Sequence, residues 1–421
     1  MIQSGLLRGG RHIWMLVLPA IFLCAAGVAT IDATGGRDAG WLTAAARNQI
    51  IFAGVGLVGM AVVLILGYRR LGRIAYPLFV IGVVTLAWLV VDHLPLVAEQ
   101  RNARRWLKLG GVQIQPSEVM KIGYVLALAW YLRYRKNYRT LPGLIAPFAI
   151  TLVPMALILK QPDLGTVLFF LPVLFVMLFV AGARLRHLLV IILLGLLCAP
   201  VFWFKIRDYQ RLRVTGVLLQ STTLRGHLIE HPELWDRFAS PGTNLGKWRK
   251  ELFEWESETG YQLVHSKTAI GSGGLTGAGL GKGIFVEHDV LLPEKHNDFI
   301  FAMIAHQWGL AGALAVILCY LALIVIGCDV ATLTNDPFGR LLAVGLSTMI
   351  GVQAFTNLLM TVGLGPITGV TLPFVSAGGS SLVTCFLILG LLLSIAHHRQ
   401  MFIARKPFEF DEEQEGGLPP I

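Results

Sequence analysis

Charge is scarce in this sequence. Only 14% of its 421 residues are Asp, Glu, Lys or Arg, against roughly a quarter in soluble domains. Hydrophobic residues make up 55% and mean hydropathy is +0.67. That is more apolar surface than a water-soluble fold can bury, so the composition points to lipid. Cysteine is scarce as well. Cys24, Cys198, Cys319, Cys328 and Cys385 all lie in or at the ends of apolar runs, and none forms a CxxC pair. This argues against a disulfide framework or a zinc site built on thiolates. No Ser/His/Asp triad is recognisable. The net charge of +10 does not indicate nucleic acid, because the basic residues sit in short clusters between apolar runs, where orientation signals belong.

What is present is a series of apolar runs. A bilayer core needs about 20 apolar residues per helix, and on that measure about ten segments qualify: 13–31, 48–67, 75–92, 117–133, 143–159, 166–182, 187–204, 298–325, 340–362 and 379–397. The fourth is the least apolar, since it carries Lys121. The first is preceded by Arg8 and Arg11 but is long enough to span, so it reads as a membrane helix and not a cleaved signal. The expected fold is an all-α polytopic membrane protein in one integral membrane domain, 1–408. An acidic tail over 409–421 has the composition of a disordered segment.

Basic clusters set the expected orientation. Arg8 and Arg11, Arg69 to Arg73, Arg133 to Arg139, Arg184 and Arg186, and Arg399 to Lys406 all fall on one side. The positive-inside rule makes that side cytoplasmic, with both termini there. Three unusual segments then share the outer side: 93–116, the long loop 205–297 between spans seven and eight, and the Gly/Pro-rich 363–378. The first carries Arg101, Arg104, Arg105 and Lys108 against the positive-inside tendency. Either an anionic ligand lies there or an amphipathic segment meets lipid phosphates. The second is too long for an idle connection, and within it 215–256 reads as locally helical.

Charges in or at the edge of apolar runs are functional candidates, because each costs roughly 2.5–3.5 kcal/mol at mid-membrane. Glu118 and Lys121 open the fourth run three residues apart and can pair on one helix face. Asp163 lies between the fifth and sixth runs, and Asp298 opens the eighth. For both aspartates the alternative is a simple helix cap. The run from Gly271 to Gly283 is no phosphate-binding P-loop, since Lys282 precedes Gly283 and not Ser or Thr. It reads as close-packed or flexible backbone beside a site, with N–H groups that could still meet a phosphate. Glu294, His296 and Asp298 alternate, and Glu287, His288 and Asp289 lie upstream, but no spacing here is diagnostic of a metal site. Breaks at Pro366, Pro373, Gly378 and Gly379 resemble the broken helices of transporters.

Taken in order, several motifs carry a family resemblance. Arg104-Arg105-Trp106 precedes Gln115-Pro116-Ser117-Glu118 and Lys121. Gln161-Pro162-Asp163-Leu164-Gly165-Thr166 follows, then Asp208-Tyr209-Gln210 and Gly260-Tyr261-Gln262. Leu292-Pro293-Glu294 runs into His296-Asn297-Asp298-Phe299-Ile300-Phe301-Ala302, and Leu372-Pro373-Phe374-Val375-Ser376 into Gly378-Gly379-Ser380-Ser381. From about Arg101 to His397 the chain resembles the SEDS family (shape, elongation, division and sporulation), with Ser266 to Gly274 closer to its RodA branch than to its FtsW branch. It departs in having Asn297 where the family usually has Thr, His306 and Gln307 where two acidic residues usually stand, and a longer 215–256.

The resemblance implies a peptidoglycan glycosyltransferase of the cytoplasmic membrane. It would polymerise undecaprenyl-pyrophosphate-linked lipid II into β-1,4 glycan for elongation and shape, beside a class B penicillin-binding protein. Asp298 would be the catalytic base, and Lys121, Glu118, Asp163 and Arg105 would bind substrate, with a divalent cation (Mg or Mn) as the candidate cofactor. A precursor flippase or transporter, or a non-catalytic scaffold for a transpeptidase, would account for the same spans.

Overall fold

The computed structural model describes residues 2–35, 41–91, 97–100, 103–109, 112–134, 139–204, 208–239, 243–257, 260–288 and 291–398. The expectations for Arg101, Arg135, Lys136, Asp289, Arg399, Arg405, Lys406 and the tail 409–421 lie outside these residues, as do the side chains of Arg8, Arg11, Asp208 and Tyr209.

The fold is predominantly helical. Helices α1 (Ile2–Thr34), α2 (Ala44–Leu66), α3 (Tyr68–Arg73) and α4 (Ala75–Val90) lead into strands β1 (Val97–Gln100), β2 (Ala103–Leu109) and β3 (Val112–Ile114). Then come α5 (Pro116–Leu132), α6 (Ile145–Lys160), α7 (Leu164–Ala181) and α8 (Leu185–Trp203). Six shorter helices follow: α9 (Asp208–Leu219), α10 (Thr222–Glu230), α11 (Pro232–Asp236), α12 (Leu245–Phe253), α13 (Tyr261–Ser272) and α14 (Ile284–Glu287). The chain closes with α15 (Ile300–Thr332), α16 (Pro337–Val362) and α17 (Gly379–His397).

Seven helices among the described residues are long and apolar enough to cross a membrane: α1 from His12, α2, α6 with the turn before it, α7, α15, α16 and α17. Helices α4 and α8 are apolar but shorter, and α5, with 17 residues, carries Glu118 and Lys121. Ten elements therefore lie where ten runs were expected, but only seven satisfy spanning length and hydropathy. Large apolar side chains remain exposed along α2 and α8, among them Val58, Ile65, Leu193, Leu196 and Leu197. On a soluble protein such a surface would be a liability; against lipid it is solvated.

Segment 93–116 has a secondary structure that neither reading of the sequence specified. Its described part is a three-stranded antiparallel sheet in the order β1-β2-β3, with Leu107 opposite Val97 on one side and Ile114 on the other. The loop after α8 also has internal structure. Leu219, Leu228, Trp235, Trp248, Leu252, Trp255 and Leu263 form a hydrophobic cluster apart from the main core. Trp235 and Trp248 stack with centroids 5.0 Å apart, and each indole N–H donates to the other's carbonyl, at 3.0 and 3.1 Å. Both tryptophans are thus buried with their polar atoms satisfied.

Helix α15 is broken inside. Gly309 has φ +66° and ψ −162°, a conformation that favours glycine. The glycine-rich loop fills the breach. Ala278 and Gly279 N–H groups donate to the carbonyls of His306 and Gln307, at 2.9 and 3.0 Å, and Gly274 and Leu275 carbonyls accept from Leu310 and Ala311. A Cβ at Gly273 would lie 1.9 Å from the Ala305 carbonyl oxygen. The loop is close-packed backbone that satisfies a broken helix, as backbone at membrane depth requires. The Ala278 and Gly279 N–H groups are engaged there and do not form a phosphate cradle. His306 and Gln307 contribute side chains to the same junction, through Ser272 Oγ at 2.7 Å and the Gly281 N–H at 3.2 Å.

Candidate active site

A cavity of about 660 Å³ opens where several helices begin. Its wall takes Gln115 and Glu118 from the start of α5, Asp163 and Thr166 from the start of α7, Asp298 from just before α15, and Gly378, Ser380 and Ser381 from the start of α17. Arg105 and Trp106 of β2, Arg213 of α9 and Thr368 to Thr371 of the segment before α17 complete most of the wall. Each helix start carries a partial positive charge from its unpaired N–H groups. The N-cap residues of α5, α15 and α17 are Gln115, Phe299 and Gly378, and none caps its helix with a side chain.

Asp163 both lines the cavity and caps a helix. Its carboxylate accepts from the Thr166 N–H at 3.2 Å and Thr166 Oγ1 at 2.9 Å. It also accepts from Gln115 Nε2 at 3.1 Å, which ties the starts of α5 and α7 together. Arg105 braces the turn before it, donating from Nε to the Gln161 carbonyl at 3.0 Å and from the guanidinium to the Pro162 carbonyl.

Asp298 is not the cap of α15, because Phe299 occupies that position. Its backbone is fixed instead. The Asn357 side chain donates to the carbonyls of Asp298, at 2.8 Å, and Val370, at 2.6 Å. Ser376 Oγ donates to the Asn297 carbonyl at 2.6 Å, and the Ala377 N–H donates to that of His296 at 2.9 Å. Asn297 in turn donates to Glu294 Oε2 at 2.8 Å. The Asp298 carboxylate stands over Gly369, where a Cβ would come within 3.4 Å of Oδ2.

Lys121 does not line the cavity. It lies one layer behind, 1% exposed, with its Nζ 2.8 Å from Glu118 Oε2 and donating to Gln353 Oε1 at 2.9 Å. Glu118 and Gln353 separate it from the space, and Gln353 Nε2 extends the network to the Thr371 carbonyl at 3.0 Å. Of the five residues singled out by sequence, Asp298, Glu118, Asp163 and Arg105 share one wall and Lys121 supports it. Arg213, Glu294, Gln353 and Thr371 were not singled out for this cavity. The signal available for Gln353 was an uncharged polar side chain in an apolar helix, spaced i, i+4 with Asn357.

The cavity offers hard carboxylate oxygens of the kind Mg or Mn accepts. However, among the described residues the one place where three His, Cys, Asp or Glu ligand atoms converge is His227, Glu230 and His231, outside the cavity. The cavity residues therefore do not fit a protein-built metal centre. His296 pairs its Nδ1 with Thr34 Oγ1 at 3.1 Å.

Residues 11–227 and 243–401 match the family model described as "Cell cycle protein", FtsW/RodA/SpoVE. The chain belongs to this family. A protein named "Probable peptidoglycan glycosyltransferase FtsW", from Geobacter metallireducens, is 33% identical over 83% of this chain and 84% of its own. "Peptidoglycan glycosyltransferase MrdB" from Escherichia coli K12 is 34% identical over 92% of this chain and 93% of its own. The two branches are thus similarly near, and the lean toward RodA drawn from Ser266 to Gly274 is not resolved. Among solved structures, one chain from a study of "Structural coordination of polymerization and crosslinking by a peptidoglycan synthase complex" superposes with TM-score 0.70 at 29% identity, covering 92% of this chain and 98% of its own. The crystal structure of Thermus thermophilus rod shape determining protein RodA superposes with TM-score 0.63 at 28% identity, covering 92% and 97%.

Proposed function

We propose that this membrane protein, a peptidoglycan glycosyltransferase, polymerises lipid II in the cavity beside Asp298, at the outer face of the cytoplasmic membrane. The carrying observation is that Asp298, Glu118, Asp163 and Arg105, scattered over nearly two hundred positions of sequence, line one cavity in a chain of this family. Both termini lie on the cytoplasmic side in this reading, as the basic clusters suggest.

Donor and acceptor both carry a polyprenyl pyrophosphate, so the chemistry belongs at the membrane surface. The acceptor's N-acetylglucosamine C4 hydroxyl attacks C1 of the donor's N-acetylmuramic acid, and pyrophosphate leaves from the opposite face. An α-linked lipid thus yields a β-1,4 bond. Asp298 accepts the hydroxyl proton, a role worth about 10²–10⁴-fold. Negative charge develops on the leaving pyrophosphate. The four helix starts that line the cavity oppose it with their dipoles, as do the guanidinium groups of Arg105 and Arg213. Lys121 acts from behind the wall by holding Glu118 and Gln353. A single displacement needs no protein nucleophile. The partner is a class B penicillin-binding protein, a transpeptidase; the similar structure from a synthase complex that couples polymerisation to crosslinking supports this.

The test is lipid II polymerisation by the purified protein, wild type against Asp298→Asn. Loss of glycan synthesis by a variant that expresses and melts like wild type is expected. A wild-type rate in that variant would refute the mechanism, and an inactive wild type that still moves lipid II across vesicles would favour the transporter.

A further inference from the structure

The cavity leaves one cluster of ligand-type side chains unused. His227, Glu230 and His231 lie at the C-terminal end of α10, exposed, and their ligand atoms fall within 4.8 Å of one another. The spacing i, i+3, i+4 puts them on one helix face. On the other side of the same elements, Leu228 and Trp235 are buried in the local hydrophobic cluster. Three groups that could each have spread into solvent instead converge. His231 is also the corner between two helices, the C-cap of α10 and the residue before Pro232 of α11. Its Nδ1 faces Glu233 Oε1 at 3.3 Å, the arrangement in which a carboxylate orients a metal-binding imidazole.

We propose that His227, Glu230 and His231 form a binding site for a divalent transition-metal ion of the zinc class, with Glu233 as the residue that orients His231. Two imidazoles and one carboxylate suit zinc, nickel or copper better than magnesium or calcium, which prefer all-oxygen sets. Three protein ligands leave a fourth position for water or an outside group. The family model breaks off at 227 and resumes at 243, so Glu230, His231 and Glu233 stand in a stretch outside the family match. The site therefore belongs to this chain's own loop and not to the shared chemistry. A bound ion would pin the corner between α10 and α11, and with it the helices packed on Trp235.

Zinc binding to tag-free full-length protein in detergent, measured by competition with a chromophoric chelator, tests this. One zinc per chain is expected. Millimolar magnesium should not displace it. Binding should vanish in His227→Ala/His231→Ala and weaken about tenfold or more in Glu233→Gln. In chelator, both variants should melt like wild type; added zinc should raise the melting temperature of wild type but not of the double variant. No stoichiometric zinc on the wild type, or equal binding and an equal thermal shift in the double variant, would overturn the proposal.

Discussion

Lys121→Met removes the cation from an ion pair whose side chains are 1% and 7% exposed and lie 2.8 Å apart. Glu118 is then left at the cavity wall without its partner. Breaking a buried pair from one side costs about 3–5 kcal/mol, because the remaining charge is uncompensated. Gln353 Oε1 also loses its donor, which adds about 1 kcal/mol. The single variant should therefore melt well below wild type. Lys121→Met/Glu118→Gln removes both charges at nearly constant volume, and replacing a whole buried pair is often close to neutral. The double variant should regain most of the lost stability. Activity then separates bracing from chemistry. If the pair only holds α5 in place, the stable double variant polymerises lipid II normally. We expect it to be stable and inactive, since the wall has lost the Glu118 carboxylate that Lys121 holds in place. Thermal melting and a lipid II gel assay on the same preparations decide the matter. Wild-type stability of Lys121→Met alone would refute the buried-pair argument, and wild-type turnover by the double variant would remove the pair from the mechanism.

Asp298→Asn should lower glycan synthesis by about 10²–10⁴-fold without a change in melting, because Phe299 and not Asp298 occupies the cap position. Gly273→Ala should destabilise the protein severely, since its Cβ would meet the Ala305 carbonyl oxygen at 1.9 Å, whereas Gly271→Ala, with nothing within 4 Å, should be near neutral; paired melting curves test the contrast. Trp248→Ala should cost the loop cluster about 3–5 kcal/mol and expose 208–257 to limited proteolysis while the membrane helices stay intact. A cysteine at exposed Ser257 should react with an impermeant reagent in intact cells, and protection there would reverse the proposed orientation.

The membrane architecture was legible because apolar runs of spanning length have few other uses. The break over 363–378 was partly so, through its prolines and glycines; the break at Gly309 was not, because the run 298–325 reads as one continuous span. The glycine-rich run read as close-packed backbone beside a site, but its partner, the interior of α15, lies more than thirty residues from Gly273 and no periodicity links them. The sheet at 97–114 was not read. Its strands have 4, 7 and 3 residues, and alternating Arg, Trp and Lys side chains look equally like an amphipathic surface segment. Lys121 read as a lining residue because spacing alone gives the face it shares with Glu118, not the depth. Depth is set by Gln353, which comes from a helix more than two hundred residues away.

The convergence of the site has a simpler origin. Chains that cross a bilayer repeatedly reverse direction at each crossing, so helices that run the same way begin at the same end. The starts of α5, α7 and α17, and the residue just before α15, meet at one cavity, and each start carries a partial positive charge. An acidic residue at such a start is stabilised there whatever its function, which is why Asp163 can cap α7 and line the cavity at once. Asp298 is the exception. It lies outside its helix, and side chains from two other segments fix its backbone: Asn357 holds its own carbonyl and Ser376 that of Asn297. Capping does not require that scaffolding. A carboxylate that must meet a sugar hydroxyl in one geometry does, and this difference separates Asp298 from the other acids of the wall.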